Sequence, residues 1–216
     1  MPARVALDLP NTSVFLDFDG TVTLRDVGQH LLARHASAEW LRLHDEYDAG
    51  VIGSRECLVG QWELVGVDEA ALRATAAEVP VDPGFVPLAE AVRVAGAELT
   101  VVSDGFGFYA EAVCGSVGVP VLTNRVDWAT GALEFPYEDR CCACATCGVC
   151  KQAPIKEARR AGRTTVLIGD GTSDRKAALL ADVVFAKDAL ADWCDWYDVP
   201  HHRFTTLADV HAALIP

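Results

Sequence analysis

The sequence predicts an α/β protein built on a parallel sheet, with a block of helices inserted after the first strand. Three observations predict it. An apolar run, Val14-Phe15-Leu16, ends in Asp17-Phe18-Asp19-Gly20-Thr21. From Leu99 onward, short apolar runs alternate with helix-period segments, the pattern of strands joined by crossover helices. Between these, from Asp26 to about Glu78, apolar residues recur at helical spacing.

Bulk properties bound the function. A chain of 216 residues that is 51% hydrophobic holds one α/β domain with a modest insertion. Its net charge of −13 argues against a nucleic-acid or anionic-membrane partner, either of which wants a basic face. A small anionic ester is still allowed, because a metal ion and one lysine create a local positive site. No apolar run approaches the ~18–20 residues of a membrane span. Met1 to Pro10 has no apolar core of a secretory signal, so a cytoplasmic protein is expected. Eight cysteines without such a signal point to reduced thiols or a metal, not a disulfide framework.

Taken in order, the first strand is expected at Val14 to Asp17. In the helical block, Val27, Leu31 and Leu32, then Trp40, Leu41 and Leu43, then Cys57, Leu58 and Trp62, mark successive helices. Gly50, Gly53 and Gly66 punctuate them. These are too many helices for one crossover. The expected organisation is therefore a core of residues 1–24 and 84–216 and a helical cap of residues 25–83, closed by the turn Val81-Asp82-Pro83-Gly84. A helix then runs from Phe85 to Ala95 and a second strand from Leu99 to Ser103. Phe106 to Val117 is helical, and Val119 to Leu122 is a third strand. Val126 to Phe135 reads as a hairpin around Gly131. A helix at Pro154 to Ala161, a fourth strand at Thr165 to Ile168, a helix at Ser173 to Ala181 and a fifth strand at Val183 to Phe185 complete the alternation. An aromatic helix and a last helix from Leu207 end the chain. His201-His202 are placed in a loop, and His30, His35 and His44 are read as solvated or structural.

Sites on open parallel sheets form at the carboxyl ends of strands. Several strands here end in polar, turn-forming residues: Asp17 and Asp19; Ser103-Asp104-Gly105; and Asp170-Gly171-Thr172-Ser173-Asp174. Residues i and i+2 of a strand share a face, so Asp17 and Asp19 project together. A carboxylate such as Asp17 can attack phosphorus. Asp19 can protonate the leaving oxygen and then deprotonate water. Asp170 can complete an oxygen-ligand site for Mg²⁺. The Ser103 hydroxyl and the N–H groups of Asp104 and Gly105 can grip phosphate oxygens, beside the Gly20-Thr21 turn. The cation that phosphoryl transfer needs is assigned to Lys151 rather than Lys156 or Lys176. A right-handed crossover starts its helix at the active edge of the sheet, and Lys151 lies just before that helix.

Asp17-Phe18-Asp19-Gly20-Thr21, Ser103, Lys151 and Gly169-Asp170-Gly171-Thr172-Ser173-Asp174 resemble, in order, the four motifs of the haloacid dehalogenase-like superfamily. The resemblance implies a Rossmann-like sheet of strand order 3-2-1-4-5 with a C1-type cap. It makes Asp17 the nucleophile, Asp19 the general acid/base, and Asp17, the Asp19 carbonyl and Asp170 the Mg²⁺ site, supported by Asp174. The second aspartate favours phosphatases and mutases over dehalogenases and transport ATPases. Gly50 to Cys57, Asp82 to Phe85, and Cys150-Lys151 resemble the phosphoserine-phosphatase-like branch, especially its methionine-salvage members. Phosphocholine and phosphoethanolamine phosphatases share some of these features. Many branch members read Ser-Gly-Gly where this chain has Ser103-Asp104-Gly105, which adds a negative charge beside the phosphate site. The implied reaction is hydrolysis of a small phosphomonoester through an aspartyl-phosphate. A phosphomutase and a regulatory or metal-binding protein on an inactive scaffold are the alternatives.

Two features stand outside that set. Cys141, Cys142, Cys144, Cys147 and Cys150 crowd five thiols into ten residues just before Lys151. A structural Zn²⁺ and a loop of reduced thiols are both open readings, since the paired C-x₂-C units lack the usual long spacer. In the cap, Arg55 is the candidate contact for an anionic or polar substrate head group.

Overall fold

The apolar run becomes strand β1, Thr12–Leu16, at the centre of a six-stranded sheet. The structure, a computed structural model, describes residues 4–66, 68–140 and 146–215. All five residues of β1 are buried, as befits a strand covered by helices on both faces. Side chains alternate across it: Val14, Leu16 and Phe18 enter one apolar layer and Phe15 the other. Phe18, Phe85 and Phe106 are fully buried in the first layer, each contributing about 1.5–3 kcal/mol of hydrophobic stabilisation.

Helices α1 (Val27–His35), α2 (Trp40–Asp48), α3 (Ser54–Glu63) and α4 (Glu69–Ala76) follow. Asp26 caps α1 by accepting from the Gln29 N–H at 2.7 Å, and Asp68 caps α4 through the Ala71 N–H at 2.9 Å. The chain leaves and rejoins the sheet through a short neck. Thr23 bridges Val81, and the Leu24 N–H donates to the Pro80 carbonyl at 2.9 Å. Asp82 pins the return, accepting from the Gly84 N–H at 2.7 Å and the Leu207 N–H at 3.0 Å.

Next come α5 (Phe85–Val94), β2 (Glu98–Val102), α6 (Phe108–Val117) and β3 (Val121–Leu122). The expected hairpin forms from β4 (Arg125–Asp127) and β5 (Ala132–Glu134), a two-stranded sheet apart from the large one among the described residues. The remaining elements are α7 (Gln152–Arg160), β6 (Thr164–Gly169), α8 (Arg175–Ala178), β7 (Val183–Ala186), α9 (Asp188–Trp196), β8 (His202–Arg203) and α10 (Leu207–Leu214). The large sheet is parallel throughout, in the order β3-β2-β1-β6-β7-β8. With the hairpin set aside, its first five strands follow the expected 3-2-1-4-5 order.

Two elements differ from the sequence reading. His202 pairs with Phe185 and extends the sheet by a sixth strand. A two-residue strand carries no readable periodicity; the edge of β7 recruits it. The helix expected at Ser173 to Ala181 is a 3-10 turn, Thr172–Asp174, followed by the single turn of α8. The Asp174 carboxylate accepts from the N–H groups of Asp170 and Gly171, both at 3.3 Å, and draws the chain into that tight turn. Among the described residues, no helix is long and apolar enough to cross a membrane.

Candidate active site

Strand register brings the polar ends together. Leu16 pairs with Val101 on one side and Ile168 on the other. Just beyond this row the three strand ends emerge side by side: Asp17 in the middle, and, one position further along, Ser103 after β2 and Asp170 after β6. The Asp17 N–H donates to the Ile168 carbonyl at 2.9 Å, which fixes its backbone at the sheet edge.

On the β6 side the site is charged. The Lys151 ammonium lies 2.6 Å from Asp17 and 2.8 Å from Asp174, and donates to the Ser173 hydroxyl at 2.7 Å. Lys151 and Asp17 are nearly buried and Asp174 wholly so. Burial alone would lower the lysine pKa, but the Asp17 and Asp174 charges outweigh it and hold Lys151 above the usual lysine range. Burial pushes Asp17 up to about 7, against the pull of Lys151, and Asp170 adds to the rise. Burial likewise raises Asp170 and Asp174, each to about 6. The Thr21 hydroxyl donates to Asp170 at 2.9 Å. Gly20 turns with a φ of 78°, and a Cβ there would overlap the Asp170 carboxylate.

Asp17, Asp170 and Asp174 present carboxylate oxygens within 4.8 Å of one another, the metal-spaced group found among the described residues. Three carboxylates facing one ammonium leave an excess of negative charge. All-oxygen donors with that excess fit a hard divalent cation.

On the β2 side the hydrogen-bond donors are neutral. The Asp19 carboxylate accepts from the Val27 N–H at 3.1 Å and from the Ser103 and Tyr109 hydroxyls at 3.3 Å each. Burial raises its pKa well above the usual carboxylate range, and the charges of Asp26 and Asp17 raise it further. The Gly105 N–H donates to Ser103 Oγ at 3.2 Å. A Cβ at Gly105 would sit 2.7 Å from the Asp19 carboxylate, so glycine lets this turn approach.

These groups edge a cavity of about 280 Å³ between the sheet and the inserted helices. Asp17, Asp19, Asp104, Gly105 and Asp170 line it; Leu32, Leu58 and Phe106 give it an apolar wall. The fully buried Ser103 turns its hydroxyl toward Asp19. Asp104 reaches the cavity wall with both oxygens engaged by protein donors: Ser54, Asn124 and Val149. Arg55 is placed elsewhere. Its guanidinium pairs with Glu138 at 3.0 Å, donates to the Cys147 carbonyl at 3.2 Å and lies over the Phe135 ring, outside the cavity lining. An acidic partner and an aromatic face nearer to hand outcompete the cavity for it.

Cys141, Cys142 and Cys144 lie outside the described residues. Cys150 is buried and Cys147 is half-buried. Sequence reasoning missed Tyr109, Asp26 and His44, all of which line the cavity. Tyr109 had a readable signal, since the first turn of a helix that follows a strand end at the active edge faces the site. His44, 3.4 Å from Asp48 on α2, had none.

Comparison with known proteins agrees with this arrangement. A family model described as haloacid dehalogenase-like hydrolase matches residues 14–179. A Brevibacillus brevis 2-hydroxy-3-keto-5-methylthiopentenyl-1-phosphate phosphatase is 28% identical over 91% of this chain and 92% of its own length. The Geobacillus kaustophilus protein of the same name is 29% identical over 93% and 94%. Among solved structures, a phosphoserine phosphatase captured as a phospho-aspartyl intermediate analogue superposes with a TM-score of 0.71 at 18% identity, covering 94% of this chain and 98% of that one. A T. onnurineus phosphoserine phosphatase gives 0.70 at 19% identity, covering 96% of each chain. Those two likenesses show a shared fold. The matched span runs from the first aspartate strand past Asp174 and contains every carboxylate gathered at the sheet edge: the chain belongs to the haloacid dehalogenase-like hydrolase family.

Proposed function

We propose that this protein is a Mg²⁺-dependent phosphomonoesterase acting through an aspartyl-phosphate on Asp17. One observation carries the reading: two carboxylates from one strand end, Asp17 and Asp19, sit in opposite chemical surroundings at one cavity. Asp17 is paired with a cation and suits attack. Asp19 is buried among neutral donors and suits holding a proton.

In the first half-reaction a carboxylate oxygen of Asp17 bonds to phosphorus as the bond to the leaving oxygen breaks. Asp19 gives its proton to that oxygen. In the second, Asp19 takes a proton from water, the water oxygen bonds to phosphorus, and the bond to Asp17 breaks. Both residues return to their starting states. Lys151, steadied by Asp174 and Ser173, orients Asp17 and meets the charge on the phosphoryl oxygens. Asp17, Asp170 and Asp174 would hold Mg²⁺, which supplies charge neutralisation at the phosphoryl group. Helices α1 to α4 serve as a cap over the site, hinged at the Thr23–Val81 neck.

The cavity favours the methylthiopentenyl phosphate of the similar enzymes over phosphoserine. Among its described lining residues there is no lysine or arginine to meet a substrate carboxylate, whereas Leu32, Leu58 and Phe106 suit an uncharged chain. A cationic head group such as phosphocholine is the second reading, favoured by Asp26, Asp48 and Asp188 in the lining. Phosphate release from a panel of these esters, with Mg²⁺ and with EDTA, tests the proposal. Magnesium-dependent turnover with the uncharged ester preferred supports it. Preference for phosphocholine selects the second reading, and no release from any ester by folded protein refutes the phosphatase assignment.

A further inference from the structure

Asp104 follows the strand end at Ser103, and its carboxylate joins three segments distant in sequence. The Ser54 hydroxyl, at the start of α3, donates to Oδ2. The Val149 N–H donates to Oδ1 at 2.7 Å, and the Asn124 side-chain amide donates to the same oxygen at 3.2 Å. Asn124 is itself wholly buried and also donates to the Gly105 carbonyl at 2.9 Å. A carboxylate offers two oxygens with several lone-pair sites, so one group can satisfy all three donors.

The segment that Asp104 holds is the one that delivers Lys151. Gly148 presses against it so closely that a Cβ would lie 2.6 Å from Asn124 Oδ1 and 2.7 Å from Asp104 Oδ1. The start of α3 grips the same segment from above. The Arg55 N–H donates to the Thr146 carbonyl at 3.1 Å, and a Cβ at Gly53 would lie 2.5 Å from that carbonyl oxygen. Two residues beyond Val149, the Lys151 ammonium meets Asp17 at 2.6 Å. A continuous run of contacts thus leads from α3 through Ser54, Asp104 and Val149 to Lys151 and Asp17.

We infer that Asp104 is a positioning residue that makes the seating of the inserted helices and the placement of Lys151 a single event. With α3 seated, Ser54 orients the carboxylate and the carboxylate fixes the lysine segment. With α3 displaced, the segment loses both the Ser54–Asp104 contact and the Thr146 contact, and Lys151 loses its fixed approach to Asp17. The inference rests on the phosphatase reading for its catalytic consequence but not for the coupling itself.

The test uses full-length protein and the variants Ser54→Ala, Asp104→Asn and the pair combined. Amide hydrogen exchange comes first, because it needs no activity. Ser54→Ala alters only α3, yet exchange at Val149 to Lys151 is expected to quicken about tenfold while β1 and β6 stay protected. Unchanged exchange in that segment overturns the inference. Turnover of p-nitrophenyl phosphate with Mg²⁺ comes second. Each single variant is expected to lower kcat by roughly tenfold or more with KM nearly unchanged, and the double variant to match Asp104→Asn rather than the product of the two. Multiplicative losses, or a rise in KM that depends on the leaving group, would assign Asp104 to the substrate and overturn the inference. A wild-type protein that turns over no ester removes the phosphatase reading and leaves the exchange result to decide the coupling.

Discussion

The two flanks of β1 differ in what they do to an aspartate. On the β6 flank, Asp17 meets Lys151, Asp170 and Asp174, and burial is set against the charge of a lysine. On the β2 flank, Asp19 meets two hydroxyls and a backbone N–H, and burial with the added charges of Asp26 and Asp17 outweighs the Val27 hydrogen bond. The two residues are two apart on one strand end, so sequence spacing alone assigns them the same face. Their surroundings come from different crossovers. In the proposed mechanism one strand end supplies both the nucleophile and the proton carrier, because the neighbouring strands end in different chemistry.

Removing the cation is the sharpest way to break this contrast. Lys151→Met leaves Asp17 and Asp174 buried without their shared cation. Losing one member of a buried pair costs about 3–5 kcal/mol, and kcat should fall by roughly three orders of magnitude. Thermal melting and turnover check both. A variant with wild-type melting and turnover would show the charged flank to be ornamental.

Altering the neutral flank should give a different signature. Asp19→Asn keeps the shape but cannot carry a proton, which is expected to cost about 10²–10⁴ in kcat. The loss should be larger for an alkyl phosphate than for p-nitrophenyl phosphate, whose leaving group needs no protonation. Equal losses on both esters would argue that Asp19 is structural.

The smallest effect is on stability and reads the charged flank directly. Asp17 rises from an ordinary 3.8 to about 7, and Asp170 and Asp174 rise to about 6. Between pH 4 and 7 the unfolded chain has released protons that these folded carboxyls still hold. Stability is thus complete below the unfolded pKa and is lost as pH rises through the folded values. Glu78, Asp127, Asp195 and Asp209 are held low and act below that window. In EDTA, the melting temperature should rise on the order of 5 °C from pH 7.5 to 5.5, and less in Asp170→Asn, which has already lost one of these charges. An equal rise in both proteins would assign the effect to the general acidity of the surface.

The same contrast marks what the sequence made legible. Strand ends with paired polar residues are a local signal, so Asp17, Asp19 and Asp170 could be read directly; the parallel sheet follows from the strand–helix alternation, and the strand order only from the family resemblance. Lys151 was separable from Lys156 and Lys176 because crossover handedness places one end of α7 at the active edge, and the structure sets its ammonium 2.6 Å from Asp17. What could not be read depends on contacts between distant segments. Arg55 turns to Glu138, and Asp104 closes on Ser54, Asn124 and Val149. Residue type alone does not disclose such partners. Strand β8 was invisible because two residues have no period to detect.

The most direct test of the central claim is to trap the intermediate. The protein is turned over with ³²P-labelled p-nitrophenyl phosphate and Mg²⁺, quenched in acid within a single turnover, and digested. The account predicts hydroxylamine-sensitive label on the peptide carrying Asp17, more of it in Asp19→Asn, and none in Asp17→Asn. Turnover without protein-bound label, or label on a peptide lacking Asp17, would contradict it.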